Sequence, residues 1–368
     1  MRVVGVSLRD FRSYREAHAA LGPGLSVVSG PNGAGKTNLL EAIYFGCTGR
    51  SCRTNNEREV VRFGTDATRV VVSAIGNDGP HELAVGFVPG QPKRMRADGA
   101  PAERLLDLAQ RPLVSVFLPD RLELIKGAPS LRRAHLDQFV AAMWPARAAT
   151  RRAYAQALAQ RNALISRIRS RSASRESLAS WDRQLARHGV ALMADRARAV
   201  ETIADAFVRL GGALGLNGDV SLAYRPRSRA ADPEELAAEL SARLAGDIDR
   251  GFTGHGPHRD EVSCLRTGAE LRTYGSQGQQ RLALLALLLA EREAIAATRE
   301  TAPMMLLDDV MSELDHVRRD ALVGLLRESD AQAVITTTDL EHVPRASDPG
   351  VVRIAVAEGR IAQEALAA

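Results

Sequence analysis

The hydrophobic residues of this chain follow two different periods. Near the start, apolar residues alternate with polar ones or are β-branched, between turns rich in glycine. That pattern predicts strands over residues 3–8, 25–28, 69–75 and 83–87. From about residue 130 to 245 the apolar positions recur every three or four residues, as at Val200, Ile203, Phe207 and Leu210, which predicts helices.

The order of these patterns divides the chain into three predicted segments. Residues 1–129 and 251–368 form the two parts of one α/β domain, and residues 130–250 form a helical insertion between them. Residues 166–180, rich in serine and arginine, predict a polar, mobile turn between two helices, with a disordered segment as the alternative. Gly211 and Gly212 predict a helix end. Because the insertion separates the two α/β parts in sequence, they must come together in space.

A glycine-rich segment directly follows the second predicted strand. It reads Gly-Pro-Asn-Gly-Ala-Gly-Lys-Thr over residues 30–37, which is the spacing of a Walker A loop, and an apolar helical stretch follows. The glycines leave backbone N–H groups open to a phosphate, Lys36 would reach the β- and γ-phosphates, and the Thr37 hydroxyl would bind Mg²⁺. A glycine-rich turn without a ligand is the alternative, but the filled positions favour a nucleoside triphosphate site. The predicted nucleotide-binding residues are Gly30, Pro31, Asn32, Gly33, Ala34, Gly35, Lys36, Thr37 and Asn38.

A second part of the same site is predicted near the end of the chain. Four apolar residues, 304–307, precede Asp308 and Asp309, as in a Walker B strand. Asp308 would hold the Mg²⁺ that bridges the phosphates, and Asp309 would polarise the attacking water. A helix cap or a surface turn is the simpler explanation for an isolated pair of aspartates. A P-loop elsewhere in the chain favours the catalytic interpretation.

The basic composition of the chain is compatible with nucleic acid as a partner. The chain of 368 residues has a formal net charge of +5 and a sequence pI near 9.4, which permits nucleic-acid binding without proving it. Three separated cysteines indicate a reduced, cytoplasmic protein, and the longest apolar run, residues 282–290, is too short to cross a membrane. Candidates for DNA contacts are Arg94, Arg96, Arg151 and Arg152. A solvated helical face explains each basic cluster equally well.

The start of another predicted helix carries a polar motif. Ser-Gln-Gly-Gln-Gln, from Ser276 onward, precedes a helical run over residues 282–297, and Ser276 is placed as its N-cap. By itself this is a capped helix. The segment also resembles the signature motif of ABC-type ATPases, with Gln277 in place of the first of two glycines. Residues 312–315 resemble the D-loop of that class, and residues 11–14, Phe-Arg-Ser-Tyr, resemble the opening strand and turn of its Rad50 and SMC branch.

In combination, these motifs resemble the RecF family of bacterial recombination mediators. The resemblance covers nearly the whole chain, in order. Matching segments are residues 11–14, 30–38, 49–54, 119–120 with 124–127, 132–133 with 136–137, 256–260 and 306–315. The resemblance implies a two-lobed ABC-type P-loop ATPase head with an inserted α-helical lid or arm.

The resemblance further implies a nucleotide site shared by two subunits. ATP with Mg²⁺ would lie between protomers, and the signature motif of one would face the γ-phosphate held by Lys36 of the other. The implied signature residues are Ser276, Gln277, Gly278 and Gln279, the D-loop residues are Ser312 and Asp315, and the catalytic residues are Asp309, Lys36 and Ser276. Hydrolysis would release a homodimer bound to single-stranded or gapped DNA. The implied partners are RecO and RecR, which help load RecA in recombinational repair linked to SOS induction.

Two positions depart from the pattern of the ABC-type ATPases. Asp309 stands where many of them have glutamate, and its shorter arm predicts slow turnover, so that a weak DNA-dependent ATPase acts as a switch. Thr338 stands where many have a switch histidine. Arg12, Asn32 and Arg53 are further candidates for nucleotide contacts.

Two other functions are compatible with a P-loop. The nucleotide-binding subunit of a membrane transporter shares the ATP chemistry, but its signature motif would lie much nearer to Lys36 than Ser276 does. A binding module that holds ATP without hydrolysing it is the second alternative. Asp308, Asp309 and Ser276 argue against it.

Overall fold

The computed structural model describes residues 1–108, 111–328 and 331–363. Its strands, in chain order, are β1 (Arg2–Phe11), β2 (Tyr14–Ala20), β3 (Leu25–Ser29), β4 (Thr68–Gly76), β5 (Gly79–Phe87), β6 (Arg94–Ala97), β7 (Ala100–Ala102), β8 (Val114–Phe117), β9 (Val220–Arg225), β10 (Glu261–Arg266), β11 (Ala269–Glu270), β12 (Met304–Leu307), β13 (Ala333–Thr337), β14 (Val352–Ala357) and β15 (Arg360–Gln363). Its α-helices are α1 (Lys36–Thr48), α2 (Glu123–Lys126), α3 (Pro129–Met143), α4 (Ala148–Arg169), α5 (Ala179–Ala213), α6 (Pro233–Ala242), α7 (Leu244–Arg250), α8 (Leu271–Tyr274), α9 (Gln277–Arg299) and α10 (His316–Arg327).

The chain divides into two compact units. The first comprises residues 1–121 with the residues from 295 onward, and the second comprises residues 122–294. The second unit is therefore longer at both ends than the predicted helical insertion over residues 130–250. It extends past residue 250 because β9 and β10 form an antiparallel pair, which ties the segment around β10 to the helical region.

In the first unit, two sheets share one hydrophobic core with α1. The antiparallel sheet has the strand order β2-β1-β4-β5-β6-β7. In β1, buried Val6 and Leu8 alternate with exposed Ser7 and Arg9, which is the period of a strand with one buried face. The four strands predicted from this period lie within β1, β3, β4 and β5, so those predictions are confirmed.

The second sheet of this unit positions the segments that follow β3 and β12, which carry the predicted Walker A and Walker B motifs. Its strand order is β15-β14-β3-β13-β12-β8, and every pair except β14–β15 is parallel. The carboxyl ends of β3, β12 and β13 therefore lie at the same edge of the sheet. Ligands in open parallel sheets bind at that edge.

The second unit is mainly helical. Its longest helix, α5, continues through Gly211 and Gly212 and ends at Ala213, so the predicted helix end falls two residues early. Neither glycine has a positive φ, and a Cβ on Gly211 would meet Val220 at 3.5 Å, an ordinary contact distance, so nothing there requires the helix to end. The turn between α4 and α5 spans residues 170–178 and includes a short 3₁₀ segment, so it is shorter than predicted. Within the described ranges, no helix is long and apolar enough to cross a membrane.

A buried ion network joins the helices of this unit. Arg161 of α4 is fully buried, and its guanidinium donates to Asp182 Oδ1 at 2.6 Å, to Asp247 Oδ2 at 2.8 Å and to Thr253 Oγ1 at 2.8 Å. These partners come from α5, from α7 and from the loop that follows α7. Removing one member of a buried ion network leaves the others charged and unpaired, which is costly.

We expect Arg161→Leu to lower the free energy of unfolding by about 3–5 kcal/mol, because Asp182 and Asp247 would keep buried charges without their common partner. The measurement is urea denaturation followed by circular dichroism. Arg209→Leu is the matched control. Arg209 pairs with Glu293 on the surface, both side chains are about half exposed, and such pairs contribute about 0–1 kcal/mol. Equal losses in the two variants would contradict a structural role for the buried network.

Candidate nucleotide-binding site

The Walker A loop connects β3 to α1, as the motif requires. Gly30, Gly33 and Gly35 have φ values of 153°, 78° and 117°, which favour glycine. A Cβ on Gly30 would lie 2.0 Å from the carbonyl oxygen of Val356, so no side chain fits there. Pro31, Asn32 and Gly33 are exposed, whereas Ala34 and Gly35 are buried. The loop therefore presents its outer turn to solvent and packs its inner turn against the protein.

The start of α1 offers N–H groups to an anion. Gly35 is the N-cap residue, and no side chain caps the helix among the residues described. Uncapped N–H groups and the helix dipole together attract phosphate. The Tyr14 hydroxyl donates to the carbonyl oxygen of Gly35 at 3.0 Å, which holds the loop without occupying those N–H groups.

Lys36 lies folded back on its own loop. Its Nζ donates to the carbonyl oxygens of Gly30 at 2.7 Å and Pro31 at 3.0 Å. Burial lowers the pKa of Lys36 from its usual value, and the carboxylates of Asp309 and Asp308 oppose that shift. A triphosphate in the loop would offer this ammonium group stronger, charged acceptors than two carbonyl oxygens.

Residues from the two ends of the chain meet at Asp308. The Thr37 hydroxyl lies 2.9 Å from both carboxylate oxygens of Asp308, and Thr336 Oγ1 donates to Asp308 Oδ1 at 2.8 Å. Burial raises the pKa of Asp308, while the hydrogen bonds from Thr336 and Thr37 act in the opposite direction. A hydroxyl and a carboxylate are hard oxygen ligands of the type that Mg²⁺ prefers. Thr37 and Asp308 are therefore residues that would hold a magnesium ion.

Asp309 adopts an unusual backbone conformation beside this pair. Its φ of 47° is in the left-handed region, which aspartate tolerates better than most residues. The N–H of Asp309 donates to Thr336 Oγ1 at 2.9 Å, and Ser312 Oγ lies 2.9 Å from Asp309 Oδ2. The predicted D-loop serine thus positions the candidate catalytic carboxylate of its own chain. Asp315, the other predicted D-loop residue, caps α10 by accepting from the Arg318 N–H at 2.9 Å.

A buried carboxylate organises the basic residues next to the loop. Glu41 of α1 is fully buried and accepts from Arg12 at 2.7 and 2.8 Å, from Arg53 at 3.2 Å and from Ser51 at 2.5 Å. Arg53 also donates to Asn38 Oδ1 at 3.0 Å. Arg12, Arg53 and Asn38 were all candidates from the sequence, and the structure brings them together. Glu41 was not predicted, although a charged residue inside the apolar stretch of α1 was the available signal.

The predicted signature motif begins α9 in the second unit. Gln279 N–H donates to Ser276 Oγ at 3.3 Å, and Ser276 N–H donates to Gln279 Oε1 at 3.0 Å. This reciprocal pair is a capping box, so the predicted N-cap is confirmed. Ser276, Gln277 and Gly278 are exposed, and their polar groups are accessible to a ligand from solvent. Gln280 instead is buried and donates to the carbonyl oxygen of Leu271 at 2.9 Å.

The motif at residues 256–260 holds the second unit together. The Tyr154 hydroxyl donates to His258 Nδ1 at 2.8 Å, and His258 Nε2 donates to the carbonyl oxygen of Thr253 at 2.9 Å. Burial lowers the pKa of His258 to about 4, so the ring is neutral at pH 7. Asp260 accepts from Arg196 at 3.0 Å. These contacts give the histidine and the aspartate a packing role.

The four predicted DNA-contact arginines have different surroundings. Arg94 and Arg96 are exposed on β6. Arg151 pairs with Asp137 at 3.3 Å, which partly neutralises its charge, and Arg152 is exposed on the same helix. Thr338, considered for the position of a switch histidine, is exposed directly after β13. The buried hydroxyl near the site belongs to Thr336, two residues earlier, which the sequence did not single out.

Known proteins resemble this chain over nearly its whole length. A family profile described as an AAA domain matches residues 6–82. The solved structure of the "recombination mediator protein RecF-ATP in RecFOR pathway" is 26% identical, covers 99% of this chain and 98% of its own, and superposes with a TM-score of 0.86. An SMC head bound to the C-winged helix domain of ScpA, 16% identical with a TM-score of 0.62, shares the fold. The predicted fold class, an ABC-type ATPase head, is confirmed.

Curated relatives show the family. The "DNA replication and repair protein RecF" of Myxococcus xanthus (strain DK1622) is 36% identical over 375 residues, covering 99% of this chain and 98% of that protein. The protein of the same name from Anaeromyxobacter sp. (strain Fw109-5) is 37% identical over 372 residues, covering 98% and 99%. This chain belongs to the RecF family of DNA replication and repair proteins.

Proposed function

We propose that this chain is an ATP-binding protein of DNA replication and recombinational repair, which binds DNA as an ATP-dependent dimer. The observation that carries the proposal is the contact between Thr37 and Asp308, at 2.9 Å, directly beside an open Walker A loop. It unites the phosphate-binding and metal-binding halves of a P-loop site in one unit. The relative solved with ATP supports ATP as the nucleotide.

Each residue of the site has a defined task when MgATP binds. The loop N–H groups and Lys36 would bind the phosphates, and Thr37 and Asp308 would hold Mg²⁺. The bound ion would neutralise charge on the phosphates. Asp309 orients and deprotonates water, and Ser312 restrains its carboxylate. Hydrolysis is slow because the short aspartate arm holds the water loosely, so the protein works as a switch.

The exposed capping box supports a composite site. Ser276 is satisfied within its own helix, yet its hydroxyl and the neighbouring N–H groups remain accessible. We infer that they bind the γ-phosphate held by a second copy of the chain, so that ATP links two heads and hydrolysis separates them. DNA binding then depends on ATP. RecO and RecR are the proposed partners, in a cytoplasmic pathway that loads RecA at gaps and contributes to SOS induction.

We expect Ser276→Arg to abolish ATP-dependent self-association while ATP still binds to the single subunit. The arginine would place a bulky side chain where the second copy's phosphate must enter. Lys36→Arg should weaken ATP binding and self-association together. Sedimentation velocity with and without ATP measures association, and filter binding of labelled ATP measures affinity. A loss of tenfold or more, about 1.4 kcal/mol, is expected for association.

Ser241→Arg is the matched control for this experiment, because Ser241 is also an exposed serine but lies on α6. It should associate like the unaltered protein. If Ser276→Arg still dimerises with ATP, the composite site is wrong even where ATP binding itself is observed.

We expect Asp309→Asn to bind ATP and dimerise normally but to hydrolyse ATP about 10²-fold more slowly, because the amide cannot accept the proton of the attacking water. Single-turnover hydrolysis of labelled ATP in the presence of DNA is the measurement. Asp320→Asn, an exposed aspartate on α10, should keep full activity. Unchanged hydrolysis in Asp309→Asn would remove this residue from the mechanism.

A further inference from the structure

The outer face of the antiparallel sheet in the first unit carries two rows of residues that include four arginines. The first row, across β1, β4, β5 and β6, consists of Arg9, Arg69, Gly86 and Arg94. The second row is displaced by two residues on each strand and consists of Ser7, Val71, Ala84 and Arg96. The pairing register therefore collects arginines that are up to 87 positions apart in the chain, between Arg9 and Arg96, on one surface.

The alternation of side chains along each strand shows that these arginines face solvent. Their neighbours in sequence, among them Leu8, Val70 and Met95, lie in or against the hydrophobic core shared with α1. Successive side chains of a strand point to opposite faces, so the arginines project away from that core. All four are exposed.

In the described part of the chain, these arginines have no carboxylate partner, unlike Lys93 and Arg62 of the same unit. Among the parts of the chain that the structure describes, none of the four forms an ion pair, whereas Lys93 pairs with Glu57 and Arg62 with Asp10. The nearest acidic side chains on the same face are at its margins. Glu16 of β2 lies opposite Arg9, and Glu82 and Asp98 lie beyond the second row.

The shape of the face suits a long anion. Neighbouring strands are about 4.8 Å apart, so Arg9 and Arg94, three strands apart, are separated by about 14 Å along the row, and the two rows by about 7 Å. The other positions of the two rows are Ser7, Val71, Ala84 and Gly86, and three of these four residues are small, which keeps the surface low. A single phosphate group could contact one or two of the guanidinium groups, whereas a nucleic-acid backbone could contact all four.

We propose that this arginine face binds the sugar–phosphate backbone of DNA, independently of base sequence. The proposal rests on the DNA-binding function proposed above, and it names the surface that carries it. Arginine donates paired hydrogen bonds to phosphate oxygens, which fixes the backbone without reading bases. Arg94 and Arg96, candidates from the sequence, act together with Arg9 and Arg69, which the sequence did not single out.

The test is the salt dependence of DNA binding by the full chain with MgATP, using a mixed-sequence duplex with a single-stranded gap as the probe. Fluorescence anisotropy across a salt series gives the slope of log K against log salt, which changes by about 0.9 for each phosphate contacted in duplex DNA. Two double variants, Arg94→Gln with Arg96→Gln and Arg9→Gln with Arg69→Gln, remove two contacts each. Each should reduce the steepness of the slope by about 2.

The matched control is Arg327→Gln with Arg345→Gln, which removes the same charge from arginines of the same unit that pair with Asp348 and Asp320. It should leave the slope unchanged. The proposal is overturned if both double variants keep the slope of the unaltered protein, or if the control reduces it equally. Labelled-ATP binding, measured in parallel, should be the same in all of these proteins. An unaltered protein that dimerises with ATP but does not bind the probe would overturn the DNA-binding function itself, and the arginine face with it.

Discussion

The parallel pairing of β3 between β13 and β14 is the constraint on which the candidate site depends. Through this pairing, Val27 lies beside Ile335 on one side and Arg353 on the other, although these residues are more than 300 positions away. The Walker A loop leaves β3 at the edge where β12 delivers Asp308. The same sheet also explains the first glycine of the motif, since the β14 carbonyl of Val356 fills the space that any Cβ at position 30 would need. Packing alone therefore requires glycine there, in addition to the phosphate-binding role proposed for the loop.

The basic residues of the nucleotide site and those of the arginine face differ in whether the protein itself supplies acceptors for them. Beside the loop, each cation has acceptors within the protein: Lys36 has two carbonyl oxygens, and Arg12 and Arg53 share the buried carboxylate of Glu41. A ligand there must compete with existing contacts, which favours a highly charged group such as a triphosphate. Among the residues that the structure describes, the four arginines on the outer face of the antiparallel sheet form no ion pair. Their affinity for an anion is set by solvent and salt, which suits a contact that forms and dissociates along a polymer.

The sequence predicted features that depend on neighbouring residues. The four early strands, the P-loop and the N-cap at Ser276 follow from local period and residue type, and the structure contains them. Contacts between distant segments were not accessible in this way. The extent of the second unit depends on the pairing of β9 with β10 across 35 intervening residues, and the buried roles of Glu41 and Thr336 depend on the packing of α1 and β13. The four arginines of the outer face share a surface only because of strand register, which a single sequence does not reveal.

Two properties favour aspartate at position 309: its carboxylate and its tolerance of the left-handed backbone conformation found there. In the left-handed region a β-carbon approaches the following carbonyl group, and aspartate compensates because its short carboxylate can accept local hydrogen bonds. Ser312 supplies such a bond, and the N–H of Asp309 is satisfied by Thr336. A glutamate would keep the N–H bond to Thr336 but would carry its carboxylate one methylene farther from its Cα and would lose the geometry of the Ser312 contact. The turn after β12 therefore favours aspartate. The geometry that stabilises the turn also limits the reach of this carboxylate, the proposed catalytic group, towards water.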